Sequence, residues 1–245
     1  MKNKVAIVTG ASRGVGRELS TYLAKTGFFV VLISRNEKLL SELNQQIHED
    51  NGESTFFAID VSNSTQVQKC MEEIVKTYGR IDLLLNNAAI LKRGTTELPD
   101  NEIEELLSIN LNGAIYVAKH VATQMKIQRN GYIMNISSLG GKVAASFSGI
   151  YAASKFGLSG FSEALSKEMS GYGVKVTNIC PSMIATEMAS GRKFKLDQMI
   201  QLEDITKTVS YLLSLSPNAI PTEILISCLP LIEKTAKAMH KMYLN

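Results

Sequence analysis

Seven short apolar runs rich in Val, Ile and Leu recur along the chain, each separated from the next by a longer, mostly amphipathic stretch. The runs are Val5–Val8, Phe29–Ile33, Thr55–Ile59, Ile81–Leu85, Tyr132–Ile136, Val174–Ile179 and Glu223–Ile226. Apolar spacing predicts helices near 14–26, 37–49, 64–77, 101–127, 151–170 and 203–214 between them. Strands without polar alternation are buried on both faces. Helical connections between such strands imply a parallel sheet.

Right-handed crossovers then specify an α/β fold: a single-domain, Rossmann-type doubly wound parallel sheet of about seven strands with helices on both faces. No linker, repeat or low-complexity segment interrupts the 245 residues, so one domain over 1–245 is expected. The net charge of +3 gives no electrostatic case for nucleic acid or an anionic membrane, and neither partner is expected.

Cys70, Cys180 and Cys228 are odd in number and far apart, and His48, His120 and His240 are equally scattered. Neither set has metal-ligand or disulfide spacing, so no metal site and a reducing cytoplasmic location are expected. The basic start at Met1–Lys4 leads into an apolar run that ends after Val8, too short for a signal peptide.

The first strand runs into Thr9-Gly10-Ala11-Ser12-Arg13-Gly14-Val15-Gly16, and a helix follows directly. Glycines let the backbone approach a diphosphate, and the helix N-terminus offers N–H groups to it. A tight turn with no ligand is the plain alternative, but the place between first strand and first helix favours a dinucleotide site. The second strand ends at Ser34-Arg35 where an NAD site usually has Asp or Glu for the ribose hydroxyls. Arg13 and Arg35 suit a 2′-phosphate, although each could be an ordinary solvated arginine. The missing acid favours NADP(H) over NAD(H).

Tyr151 and Lys155 lie four apart on a helical stretch and so share a face. An ammonium beside a phenol favours the phenolate, which makes the tyrosine a usable proton donor and acceptor. The pair alone is common in helices. It gains weight from Ser137-Ser138 at the end of the fifth strand, Asn86-Asn87-Ala88-Ala89 at the end of the fourth, Asp60-Val61 at the end of the third, and Asn110 in a flanking helix.

With these residues in place, the chain resembles the short-chain dehydrogenase/reductase family, in the branch with a TGxxxGxG turn. The likeness runs in order and spacing over residues 4 to 186, through Thr9–Gly16, Asp60, Asn86–Ala88, Asn110, Ser138, Tyr151, Lys155, Pro181 and Thr186. It implies that Tyr151 is the general acid–base and that Lys155 lowers its pKa and holds the nicotinamide ribose. It implies that Ser138 polarises a substrate carbonyl and that Asn110 positions a water in the proton relay. It also implies that Gly10, Ser12, Arg13, Gly14, Val15, Gly16, Ser34, Arg35, Asp60, Val61, Asn87, Ala88 and Ala89 line the cofactor. Pro181, Ser182, Ile184 and Thr186 would border the nicotinamide. The implied reaction is hydride exchange between NADP(H) and a ketone or secondary alcohol, as in a carbonyl reductase, with reduction favoured. A homodimer or homotetramer is implied too.

Ala89 and Ser182 stand where the family usually has glycine, and both are small. The C-terminal strand Pro221–Cys228 lacks the glycine-rich pattern of many members, which weakens an assignment to 3-oxoacyl-carrier-protein reduction. A helical tail to Asn245 should follow it. The loop Glu187–Gln201 is short, and Arg192, Lys193 and Lys195 read as solvated charges rather than an acid-attracting lid. Tyr116, Val117, Val121, Phe156, Phe161 and Leu165 are candidates for a subunit interface or for the core. A non-catalytic NADP(H) sensor or scaffold is the rival from another class, but it has no chemical need for Tyr151. A nucleotide-sugar epimerase would carry a different glycine turn and a longer substrate region.

Overall fold

The computed structural model describes residues 4–189 and 194–233. Seven parallel strands form one sheet: β1 (Lys4–Thr9), β2 (Phe28–Ser34), β3 (Glu53–Ala58), β4 (Leu83–Asn86), β5 (Gly131–Ile136), β6 (Val174–Pro181) and β7 (Glu223–Ile226). Their spatial order is β3-β2-β1-β4-β5-β6-β7. The order reverses between β1 and β4, so the carboxyl ends of those two strands flank the crevice where such sheets take ligands.

The inner strands β2, β1, β4, β5 and β6 are mostly buried on both faces because successive side chains enter different layers, whereas the edge strands β3 and β7 are partly exposed. Ala6, Val8, Val30 and Leu32 join Leu19 and Leu23 of α1 (Gly14–Lys25), Leu40 and Leu43 of α2 (Glu37–Glu49) and Val209 of α7 (Leu202–Ser214). Val5, Ile7, Val31 and Ile33 instead join Ile74 of α3 (Ser64–Tyr78), Val117 and Val121 of α5 (Ala114–Gln128) and Leu165 of α6 (Gly149–Ser170). Val117, Val121 and Leu165 are therefore core residues, Tyr116 and Phe161 pack partly against that core, and Phe156 is exposed. The helices start where local chemistry allows. Asn36 and Asn63 cap α2 and α3 by accepting the backbone N–H groups of Leu39 and Gln66.

Several element bounds differ from the expectation: β3 is Glu53–Ala58 rather than Thr55–Ile59, and α6 starts at Gly149 rather than 151. The long helix near 101–127 is α4 (Asp100–Leu107), a π-helical stretch (Ser108–Gly113) and α5. β4 begins at Leu83 rather than Ile81; just before it the Asp82 backbone donates to the Val5 carbonyl at 2.8 Å and accepts the Tyr132 N–H at 2.9 Å, while its carboxylate accepts the Val5 N–H at 2.8 Å and is gripped by Arg80. The predicted helical tail begins after Cys228, but residues 234–245 lie outside the described residues, as do Arg192 and Lys193 of the loop before α7. The remainder of that loop is pinned at its base. Ile200 donates to the Met183 carbonyl, and Ala185 donates to the Ile200 carbonyl, each at 2.9 Å.

Candidate active site

The glycine turn is built for close backbone approach. Gly10 has φ +65°, and a Cβ there would come within 2.9 Å of Ala88 Cα. A Cβ on Gly16 would stand 2.2 Å from the Gly10 carbonyl oxygen, well inside contact distance. The Ala11 N–H donates to the Ile33 carbonyl at 3.1 Å, which ties the turn to the end of β2. Ser12 is half-buried, and Val15 is buried in the first turn of α1. Arg13 makes no side-chain cap on α1, and no acid occupies its first turn, so its N-terminal N–H groups face outward uncapped. A cradle of this shape, with no side chain competing for those N–H groups, fits the diphosphate of a dinucleotide.

Thr9 organises the opposite wall. Its hydroxyl accepts from the backbone N–H groups of Asn87 at 2.9 Å and Ala88 at 3.0 Å. Asn87 donates its side-chain amide to the Thr9 carbonyl at 3.0 Å, which packs the Asn87-Ala88-Ala89 segment against the glycine turn. Beneath it, Asn86 donates to the Ala114 carbonyl and to Asn135, and Asn135 donates to Ser162. Polar side chains at these strand ends therefore satisfy one another in the interior.

At the far end of the crevice, Ser34 and Arg35 close β2 beside Asp60. Arg35 Nη1 lies 3.9 Å from Asp60 and 3.9 Å from Glu105. Asp60 also accepts from Ser62, and Val61 packs where a Cβ on Gly113 would sit. Arg13 lies 3.5 Å from Glu187, and the Thr186 methyl group is 3.3 Å from the position of a Gly14 Cβ. The segment after β6 thus closes over the glycine turn. These arginine pairs are exposed, so each is worth little and leaves its guanidinium available to a stronger anion.

Ser138, Tyr151 and Lys155 converge. A methyl group placed on Gly140 would lie 3.4 Å from both Ser138 Oγ and Tyr151 Cε1, so hydroxyl and ring flank one point. The Gly140 N–H donates to Ser138 Oγ at 3.0 Å, which leaves the serine hydrogen to be donated elsewhere. Lys155 Nζ lies 6.0 Å from the centre of the Tyr151 ring. It is only 2 % exposed, and it donates to the Ile136 carbonyl at 2.9 Å. Burial pulls its pKa down to about 8, and the nearby Cys180 opposes that shift. Ser137 donates to the Lys155 carbonyl at 3.2 Å and so fixes the helix against the end of β5.

Asn110 is fully buried in the π-helical stretch, and its side-chain amide is committed to Ile90 and Ser154. At the end of β6, Pro181 pairs with Ile226, and just beyond it the Ser182 hydroxyl accepts the Cys228 N–H at 2.8 Å. The serine that stands for a usual glycine therefore anchors the segment after β7. Ile184 forms the bridge to Ile200.

Several contributors were not singled out from the sequence: the Thr9 hydroxyl, Asn135, Glu105, Glu187 and the Lys142–Glu223 pair at 2.6 Å. Polar residues at the carboxyl ends of otherwise apolar strands were the available signal for the first two. The acids carried none, because their partners are distant in the chain.

A parallel sheet with a glycine-turn cradle and a Ser–Tyr–Lys cluster at its carboxyl edge is an arrangement that fits an oxidoreductase. The family model described as short chain dehydrogenase matches residues 4–196. Uncharacterized oxidoreductases from Staphylococcus saprophyticus and Staphylococcus epidermidis are 32% and 29% identical, over 87% of this chain and 92% of each relative. A β-ketoacyl-[ACP] reductase from Bacteroides thetaiotaomicron superposes with TM-score 0.84 at 33% identity, covering 95% of this chain and 99% of that one. A metagenomic short-chain oxidoreductase solved in complex with NADP gives TM-score 0.81 at 28% identity, covering 91% and 96%. The chain belongs to the short-chain dehydrogenase family and is an oxidoreductase.

Proposed function

We propose that the chain, as one domain over 1–245, is an NADP(H)-dependent carbonyl reductase that interconverts a ketone and a secondary alcohol, with reduction favoured. The observation that carries this is the convergence of Ser138 Oγ and the Tyr151 ring on one point beside buried Lys155. The nicotinamide, when bound, supplies or accepts the hydride. Ser138 donates its hydroxyl hydrogen to the substrate oxygen and orients it. Tyr151 gives its phenolic proton to that oxygen in reduction and takes it back in oxidation. Lys155 holds the nicotinamide ribose, and its ammonium stabilises the tyrosinate. Asn110 acts as a positioning residue. Both of its donors and one acceptor site are already spoken for, so the relay water is best served by its backbone carbonyl in the π-helical stretch.

Gly10, Ser12, Gly14, Val15 and Gly16 hold the diphosphate. Arg13, Ser34 and Arg35 receive the 2′-phosphate. Asp60, Val61, Asn87, Ala88 and Ala89 line the adenosine side and the floor of the crevice. Pro181, Ser182, Ile184 and Thr186 border the nicotinamide. The absence of an acid after β2 supports NADP(H), and NADP in the metagenomic relative is consistent with it. Resemblance to a β-ketoacyl-[ACP] reductase makes that reaction the alternative within the class. Three free, buried cysteines suit the cytoplasm, and family habit suits a homodimer or homotetramer. Among the described residues no helix is long and apolar enough to cross a membrane.

The test is a panel of ketones, keto-acids and acyl thioesters followed by NADPH absorbance. Turnover of a ketone with a strong preference for NADPH over NADH is expected. No turnover of any carbonyl would overturn the reading.

A further inference from the structure

Three non-glycine residues among those described have positive φ: Asn51, Arg129 and Phe147. Arg129 is the left-handed cap of α5, and Asn51 lies in the turn just after α2. Both have ordinary chain-reversal roles. Phe147 has φ +61° and ends no helix. A bulky aromatic residue in this region is an outlier that the surroundings must enforce.

The enforcement is visible. The Gly94 N–H donates to the Phe147 carbonyl at 2.8 Å, and the Gly149 N–H donates to Thr95 Oγ1 at 3.1 Å. The loop is thereby stapled on both sides of Ser148 to the segment that follows β4. Phe147 nevertheless leaves its side chain in solvent, at 71% exposure, so the ring gives the fold little packing in return. A glycine would adopt this backbone without strain. The staples hold the backbone in this region, but they give no reason for a phenylalanine rather than a glycine at this position.

The place of the loop supplies an explanation. It joins Ser138 to Tyr151, the two hydroxyls of the site. Residues 143–147 read Val-Ala-Ala-Ser-Phe, are all exposed, and include Val143 at 69%. A loop in water is usually polar, and this one is apolar in four of five positions. Its neighbouring cation, Lys142, is already paired with Glu223 at 2.6 Å. The loop thus carries an exposed apolar segment and an exposed aromatic ring directly into the helix of Tyr151.

We propose that Phe147 is a specificity-determining residue, and that the substrate of this site is a ketone carrying an aromatic or other bulky apolar substituent. This rests on the carbonyl-reductase reading and deepens it. The ring of Phe147 covers the apolar substituent and removes it from water while Ser138 and Tyr151 hold the carbonyl. The strain at position 147 is retained because the site uses the ring.

The experiment compares 1-phenyl-1,2-propanedione with 2,3-butanedione, a pair that differs by phenyl against methyl, in the wild type, Phe147→Gly and Phe147→Tyr. Steady-state NADPH oxidation is read beside the affinity of each dione for the NADP+-saturated protein by calorimetry. Phe147→Gly is expected to lower kcat/KM for the phenyl substrate about tenfold, mainly through KM. It should change the methyl substrate by less than about twofold and leave the melting temperature unchanged or higher, since relieved strain offsets the added backbone entropy. Phe147→Tyr should keep the phenyl preference. Equal losses on both diones, or an unchanged phenyl preference in Phe147→Gly, overturn the proposal. If the wild type turns over neither dione, calorimetry still decides. A phenyl preference in binding that disappears in Phe147→Gly supports the aromatic contact while the reductase reading fails, and no such preference overturns the contact.

Discussion

Asn110 and Ile90 hold each other by two reciprocal hydrogen bonds: the Ile90 N–H donates to Asn110 Oδ1 at 2.8 Å, and Asn110 Nδ2 donates to the Ile90 carbonyl at 2.9 Å. An asparagine side chain here imitates a neighbouring strand. It fastens the π-helical stretch to the segment that leaves β4 through Asn87-Ala88-Ala89. That segment is the floor of the proposed cofactor crevice, and Asn110 Nδ2 also donates to Ser154 Oγ at 3.3 Å, so the link joins the floor to α6, the helix of Tyr151 and Lys155.

Replacing Asn110 by Ala leaves the two Ile90 backbone groups without these partners. A loss of about 1–3 kcal/mol in unfolding free energy is expected. NADPH affinity should fall with it, since the floor loosens. Urea unfolding and fluorescence titration check both. An Asn110→Ala protein with wild-type stability and affinity would show that the link is idle.

Lys155 carries a pH signature. Its folded pKa is pulled to about 8 by burial, below the usual lysine value of about 10.4, with Cys180 acting in the opposite sense. Between those values the unfolded chain binds a proton that the folded chain does not, so stability rises with pH across that window. Below about pH 8 the buried ammonium is a full burden on the fold. Lys155→Met lacks that burden. In the absence of cofactor, the wild type should therefore gain urea midpoint relative to Lys155→Met between pH 7.5 and 9.5 (roughly the window set by the shift). Loss of ground by the wild type over this range would contradict the assignment.

The two exposed arginines predict cofactor selectivity. Arg35→Ala and Arg13→Ala should each weaken NADPH by about 10- to 100-fold while NADH changes little, because a charge-assisted bond to the 2′-phosphate is lost. Glu187→Gln should act oppositely, since it releases Arg13 from its 3.5 Å partner. Ratios of kcat/KM for the two cofactors read this directly. Equal losses on NADPH and NADH would remove the 2′-phosphate role.

Gly16→Ala tests the cradle. Its methyl group would meet the Gly10 carbonyl oxygen at 2.2 Å, so the turn must open. NADPH binding should weaken by more than about tenfold, with a lower melting temperature. Unchanged binding would mean that the turn has room to spare.

The architecture was legible where burial is repetitive. Val5–Val8 and Phe29–Ile33 have no polar interruption, and a strand buried on both faces needs that composition. The edge strand Glu223–Ile226 was placed at its observed bounds from its Ile-Leu-Ile run, although it is only partly buried. Ser138, Tyr151 and Lys155 were legible because neighbouring strand ends and a four-residue helical spacing bring them together. The π-helical stretch was not. Apolar periodicity continues on both sides of it, and its cause is distant: Asn110 binding Ile90, and Gly113 pressed against Val61. Arg13–Glu187 and Lys142–Glu223 were hidden likewise, since exposed charges carry no mark of their partners. The strained Phe147 follows from staples to Gly94 and Thr95 that no local pattern announces.

The most direct test of the site is Tyr151→Phe, which removes one oxygen and keeps the ring. With any ketone that the wild type reduces, NADPH consumption should fall by about 10²- to 10⁴-fold, while the dissociation constant for NADPH stays within about threefold. A Tyr151→Phe protein that reduces the same ketone at the wild-type rate would contradict the account.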